Sequence, residues 1–161
     1  MNGPAICAKL REKQGAPLVL ALVIWFLDAP VVTAAPVEPA DISVIDGDTI
    51  RLHHKRPDVR LAGFNAPETR RAVCTSEREL GGKATARLRE LVRAGSLDFE
   101  YLPCACRPGT EGTDACNYGR RCGVLKANGR DVGAILISEK LAVPFQCGTT
   151  RCPPTPRPWC E

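Results

Sequence analysis

The sequence predicts an α+β protein: a small five-stranded Greek-key β-barrel with two or three helices and a C-terminal tail stapled to it by disulfides. Three observations point there. Short β-branched segments sit between turn signals, one long amphipathic pattern falls between the third and fourth of them, and cysteines and prolines crowd the stretch from Cys147 to Glu161.

At 161 residues and 44% apolar content the chain has room for one modest core. Residues 1–34 are expected to lie outside it. Lys9, Arg11 and Lys13 lead into the apolar run Ala16 to Leu27, which is too short to span a bilayer, and small residues follow from Val32 to Ala35. That pattern predicts a signal peptide cleaved near Ala34, and export to the periplasm or the medium. An uncleaved anchor is the competing reading. Cys7 precedes the apolar run, where a lipoprotein cysteine would follow it, so no stable membrane association is expected after cleavage.

Eight cysteines lie beyond the leader, from Cys74 to Cys160. An even number in an oxidising compartment predicts four disulfides, with the pairing open. Zinc binding is the competing reading, but the spacings are irregular and contain no Cys-x-x-Cys unit. The formal net charge of +4 loses one unit with the leader, which carries Lys9, Arg11 and Lys13 against Glu12 and Asp28. The remaining mildly basic domain suits transient contact with nucleic acid and lacks the dense positive stripe of a dedicated binder.

A proline-containing spacer over 35–41 precedes the domain, which is expected over 42–146. Ile42 to Leu52, β-branched around Asp46-Gly47-Asp48, reads as a hairpin-like pair of strands. The polar stretch His53 to Asp58 is the next turn, because Pro57 cannot sit in a central strand, and Val59 to Phe64 is the third strand. Leu80, Ala84, Leu88, Leu91 and Val92 recur at helical spacing up to the stop signal Gly95, which predicts a helix from Leu80 to Ala94. Leu97 to Leu102 is a strand, Pro103 to Asn117 an irregular cysteine-bearing loop, and Cys122 to Ala127 the last strand, ending at Asn128-Gly129. Val132 to Lys140 is a short helix with Asp131 as its N-cap. In the tail, 147–161, Pro153, Pro154, Pro156 and Pro158 exclude regular structure. This order of elements is the one a small barrel needs to close its own sheet edges.

Three clusters carry candidate chemistry. In Asp46-Gly47-Asp48-Thr49 two carboxylates at i and i+2 can face one side and offer hard oxygens to a divalent cation; a plain Asp-Gly turn is the alternative. In Arg60 to Glu68 a guanidinium, the Asn65 amide and the Glu68 carboxylate could converge at one mouth of the barrel, or form only a surface strand with a partnered arginine. In Tyr118-Gly119-Arg120-Arg121 the glycine lets backbone approach a ligand and an arginine presents a fork of donors to phosphate; a basic turn is the alternative.

Together and in this order the three clusters resemble the staphylococcal nuclease family, whose pattern is an Asp-Gly-Asp-Thr turn, an arginine strand ending in a Pro-Glu turn, and a later Tyr-Gly-Arg. The resemblance spans roughly Ile42 to Phe145. It implies an OB-like barrel and a calcium-dependent phosphodiester hydrolase, an endonuclease acting as a monomer on DNA or RNA, preferably single-stranded or denatured. It also implies that Asp48 is the principal calcium ligand with Asp46 beside it, and that the main-chain oxygen of Ala66 is another. Glu68 matches the carboxylate that activates the attacking water, Arg60 and Arg120 the arginines that hold the scissile phosphate, and Tyr118 an aromatic near the nucleotide. Asn65 falls where the family has a second ligand aspartate. A neutral amide there is expected to weaken calcium binding or alter metal preference, because affinity follows ligand charge.

The chemistry asks for these residue types independently. Water must attack a centre ringed by negative charge, so the site has to neutralise phosphate oxygens, orient the nucleophile and accept its proton. Arginine bonds two oxygens at once and stays charged at any working pH. Glu68 serves as general base or as a positioner of Arg60. Cys116 and Cys122 bracket Tyr118 to Arg120, so disulfides from them are expected to hold Arg120 in place. Two other functions compete: a nucleic-acid-binding OB module without catalysis, which Asn65 favours, and a disulfide-rich exported domain that binds another protein through its tail.

Overall fold

A computed structural model describes residues 34–160. The leader expected over 1–34 therefore lies, but for Ala34, outside the described residues.

The first hairpin follows the alternation of its sequence. Ile42–Asp46 (β2) and Thr49–Leu52 (β3) pair antiparallel, from Ile42 against Leu52 to Asp46 against Thr49, with a bulge between Val44 and Asp46. Ile42, Ile50 and Leu52 turn into the core. A Cβ on Gly47, at the hairpin tip, would sit 2.7 Å from the Ala66 Cβ and 3.0 Å from the Ala84 Cβ, so only glycine lets the acidic turn press this closely on its neighbours.

The expected third strand is two. Val59–Leu61 (β4) and Gly63–Asn65 (β5) are separated at Ala62, and Gly63 takes φ 92°. β4 stays in the main sheet, antiparallel to β3 and parallel to Arg121–Ala127 (β7). β5 leaves that sheet to pair with Val143–Phe145 (β9), Asn65 lying opposite Val143. The short β9 carries no alternation long enough to be read in advance.

Thr75–Ala94 (α1) begins more than a turn before Leu80. Its start was hidden because the inward-facing residue of the first turn is the carboxylate Glu77, wholly buried, where an amphipathic pattern calls for an apolar side chain. Leu97–Leu102 (β6) pairs antiparallel with β7 and, on its other side, with Ala35–Val37 (β1). The stretch over 35–41 is thus not a spacer: it supplies an edge strand and a 3-10 turn at Pro39–Asp41. Arg130–Asp131 (β8) adds to β7, and Val132–Ser138 (α2) follows, capped by the Asp131 carboxylate accepting from the Ala134 amide at 2.8 Å.

The product is a mixed α+β domain with a curled half-barrel sheet and two α-helices. Hydrogen-bonded neighbours run β1-β6-β7-β4-β3-β2 as an open path, with β5 and β9 as a separate pair. Ile50, Val59, Leu61, Leu88, Leu125 and Leu136 are fully buried members of one core. Among the described residues no helix is long and apolar enough to cross a membrane.

All eight cysteines pair, as Cys74–Cys160, Cys104–Cys122, Cys106–Cys116 and Cys147–Cys152. Four disulfides indicate an oxidising, extracellular-type environment. Among the described residues the tail beyond β9 has no helix or strand, as its prolines require, and it is tied to the start of α1 through Cys74–Cys160.

Candidate functional site

One cavity of about 1060 Å³ gathers residues from every cluster singled out in the sequence. Asp46 and Asp48 reach it from the β2–β3 turn, Arg60 from β4, and Asn65 from the end of β5. Glu68 comes from the loop after β5, and Tyr118 and Arg120 from the segment before β7. Ala66 is buried and does not line the cavity; its amide donates to Asp48 Oδ2 at 3.0 Å. Phe145 also faces the cavity, whereas His53 and His54 stand outside it.

Arg60 is the hub. Its Nη1 pairs with Asp48 Oδ2, and its Nη2 donates to Asn65 Oδ1 at 2.7 Å and to the Phe64 carbonyl at 3.3 Å. Burial, first, and then the neighbouring charge of Arg120 push its pKa down to about 10, against the opposing pull of Asp46 and Glu68. It therefore remains a cation near neutrality. Arg120 is held on three sides: Nε donates to the Asn117 carbonyl at 3.1 Å, Nη2 to Asn117 Oδ1 at 2.9 Å and Nη1 to Thr49 Oγ1 at 3.2 Å. Its guanidinium also lies 5.7 Å from the centre of the exposed Tyr118 ring. Cys104–Cys122 and Cys106–Cys116 brace the backbone on either side of this segment.

The two acids of the β2–β3 turn share the cavity with these arginines. Asp48 is buried, with Oδ1 accepting from Thr49 Oγ1 at 3.0 Å, and Asp46 Oδ1 accepts from the Asp48 amide at 3.2 Å. Burial raises the Asp46 pKa above the ordinary carboxylate value despite hydrogen bonding from Thr49 and the charges of Arg60 and Arg120. Asp46 and Asp48 could offer oxygens to a hard cation, but Asp48 Oδ1 is engaged by Thr49 and Oδ2 by the Ala66 amide and Arg60, so a cation at Asp48 would compete with these partners. Asn65 is bonded at both ends of its amide: Oδ1 accepts from Arg60, and Nδ2 donates to the tail carbonyl of Pro156 at 2.9 Å.

Glu68 sits on a loop whose backbone is fixed from below. A Cβ on Gly81 of α1 would lie 2.7 Å from the Pro67 oxygen and 2.8 Å from the Glu68 oxygen. Gly81→Ala is therefore expected to lower the melting temperature, although alanine is the better helix former by about 1 kcal/mol, because overpacking costs ~1–3 kcal/mol. A raised melting temperature would show that the helix does not press on the Glu68 loop.

Sequence reasoning missed three contributors, Asn117, which holds Arg120, and Glu77 and Arg157, which join α1 to the tail, and it gave Thr49 of the first cluster no part in holding Arg120. Cys74-x-x-Glu77 has the spacing of an N-terminal cap with its reciprocating acid, a signal available once the helix is started at Thr75. Cys74, Glu77 and Cys160 bring their ligand atoms within 4.8 Å of one another, but the two sulfurs are joined to each other, so the cluster is a disulfide beside a buried acid and not a zinc site.

The fold and the site together define a disulfide-braced α+β domain with a pocket of mixed acids and arginines. No protein-family model matches the chain, and no curated protein matches it.

Proposed function

We propose that the chain is an exported phosphodiesterase of the staphylococcal nuclease type, an endonuclease for DNA or RNA built on an OB-like barrel and working as a monomer. The observation that carries this reading is the meeting of Asp48, Arg60, Glu68 and Arg120, drawn from four separate segments, at one cavity. A pocket that served only to bind nucleic acid would gain nothing from carboxylates beside two arginines, since like charge repels phosphate.

In this reading Arg60 and Arg120 bond the non-bridging oxygens and stabilise the charge that builds on them during attack. Asp46 and Asp48 would hold calcium, which supplies Lewis-acid polarisation of the phosphate. Glu68, half-buried at the cavity edge, orients the attacking water and takes its proton. Tyr118, left exposed on a backbone with φ 58°, offers its ring to a base. A second cavity of about 640 Å³ adjoins the first across Arg60, Asn117, Phe145 and Cys152, and its lining includes Arg107 and Arg151 but no carboxylate. That supports a strand that continues past the cleavage point, with single-stranded or denatured polymer as substrate.

Oxidised protein lacking residues 1–34 is expected to degrade denatured DNA or RNA with calcium and to stop on chelation. Binding without cleavage under both conditions would favour the binding-module reading, and neither binding nor cleavage would remove both.

A further inference from the structure

We propose that Arg157 of the C-terminal tail is a positioning residue for Glu68, acting through the buried carboxylate of Glu77. This rests on the reading of Glu68 as the residue that handles the attacking water.

Glu77 is wholly buried in the first turn of α1. Such a carboxylate is costly unless its oxygens are bonded, and here all the donors come from two places. The first is the loop that carries Glu68: the Glu68 amide donates to Oε1 at 3.3 Å and the Val73 amide to Oε2 at 2.9 Å. The second is the tail: Arg157 Nε donates to Oε1 at 3.0 Å and Nη2 to Oε2 at 2.7 Å. Burial alone would raise the Glu77 carboxyl, but the Arg157 bonds and the two amides outweigh it and hold the pKa below the usual carboxylate value.

Arg157 also holds the loop directly, since Nη2 donates to the Arg71 carbonyl at 2.8 Å. The Cys74–Cys160 disulfide fixes the tail at the end of the same loop, and Ser76 Oγ donates to the Trp159 carbonyl at 2.7 Å. Thr155 and Arg157 line the cavity beside Glu68. The tail is thus a wall of the site. Without Arg157 the Glu77 charge has only two amides to share, and it draws water or a proton instead of pinning the loop in one place.

The test compares Arg157→Ala and Arg157→Lys with wild type in the full oxidised protein, all eight cysteines intact. Amide exchange at Glu68 and Val73 is expected to quicken about tenfold in Arg157→Ala while Leu125 in β7 is unchanged, and kcat is expected to fall by roughly tenfold with KM little altered. Arg157→Lys, which keeps the charge but not the two-pronged grip, should fall between. Wild-type exchange at Glu68 and Val73 in Arg157→Ala overturns the proposal, as does a change in KM with kcat preserved. Should Arg157→Ala not fold, the same readings on Arg157→Lys decide. Wild-type protein that cleaves nothing would sink the nuclease reading alone, because exchange at the two amides needs no substrate.

Discussion

Arg60→Ala is expected to lower phosphodiester hydrolysis by about 10²–10³-fold, the loss seen when one charge-stabilising donor is taken from a hydrolytic site. It should destabilise the protein too. Arg60 and Asp48 are paired with little exposure to solvent, so removing the guanidinium leaves the buried Asp48 charge with only Thr49 and the Ala66 amide, at a cost of up to about 3–5 kcal/mol. Arg60→Lys restores a charge without the fork that now serves Asp48, Asn65 and the Phe64 carbonyl at once, and should recover more stability than activity. Steady-state kinetics alongside denaturant titration separates the two effects. Full activity in either variant would remove Arg60 from the chemistry.

The second large effect belongs to the tail. Cys74 and Cys160 are 86 residues apart in sequence, and the chain-entropy account gives a crosslink of that span about 4.5 kcal/mol. Cys147–Cys152 closes only 5 residues, for which the same account gives about 2 kcal/mol. The double variant Cys74→Ala, Cys160→Ala is therefore expected to show a much lower guanidinium midpoint than Cys147→Ala, Cys152→Ala. Its denatured chain should also be more expanded, with a steeper m-value. Equal midpoints for the two pairs would mean that the tail is not stapled as the structure has it.

The fold was legible where sequence pattern and local physics agree. The first hairpin, β6, β7 and the Asp131-capped helix lie within a few residues of their expected positions because alternation, turn chemistry and capping act over short distances. It was not legible where tertiary structure overrides the pattern. Val59 to Phe64 reads as one strand, and only the separate pairing of its two halves, β4 with β3 and β7 and β5 with β9, shows that it is broken at Ala62. The beginning of α1 was lost for a related reason: Glu77 occupies an inward position that makes sense only with Arg157, 80 residues further on.

The same division holds for the site. Asp46, Asp48, Arg60, Glu68 and Arg120 could be chosen because their residue types announce phosphate and cation chemistry, and they do share a cavity. What holds them could not be. Asn117 beside Arg120 is an ordinary loop residue in sequence, nothing in the first cluster marks Thr49 as a partner of Arg120, and the Asn65 amide, expected to be a weakened cation ligand, also bridges Arg60 to Pro156. The disulfides expected to steady Arg120 reach it through Cys104 and Cys106, a pairing that spacing alone left open.

In the proposed nuclease Arg60 and Arg120 act on one phosphate group. A double-mutant cycle on kcat/KM, using Arg60→Ala, Arg120→Ala and the combination against a single-stranded oligonucleotide, tests it most directly. The double variant is expected to be far less impaired than the product of the two single losses, with a coupling of about 1–3 kcal/mol. Losses that multiply independently would place the two arginines at separate tasks and contradict it.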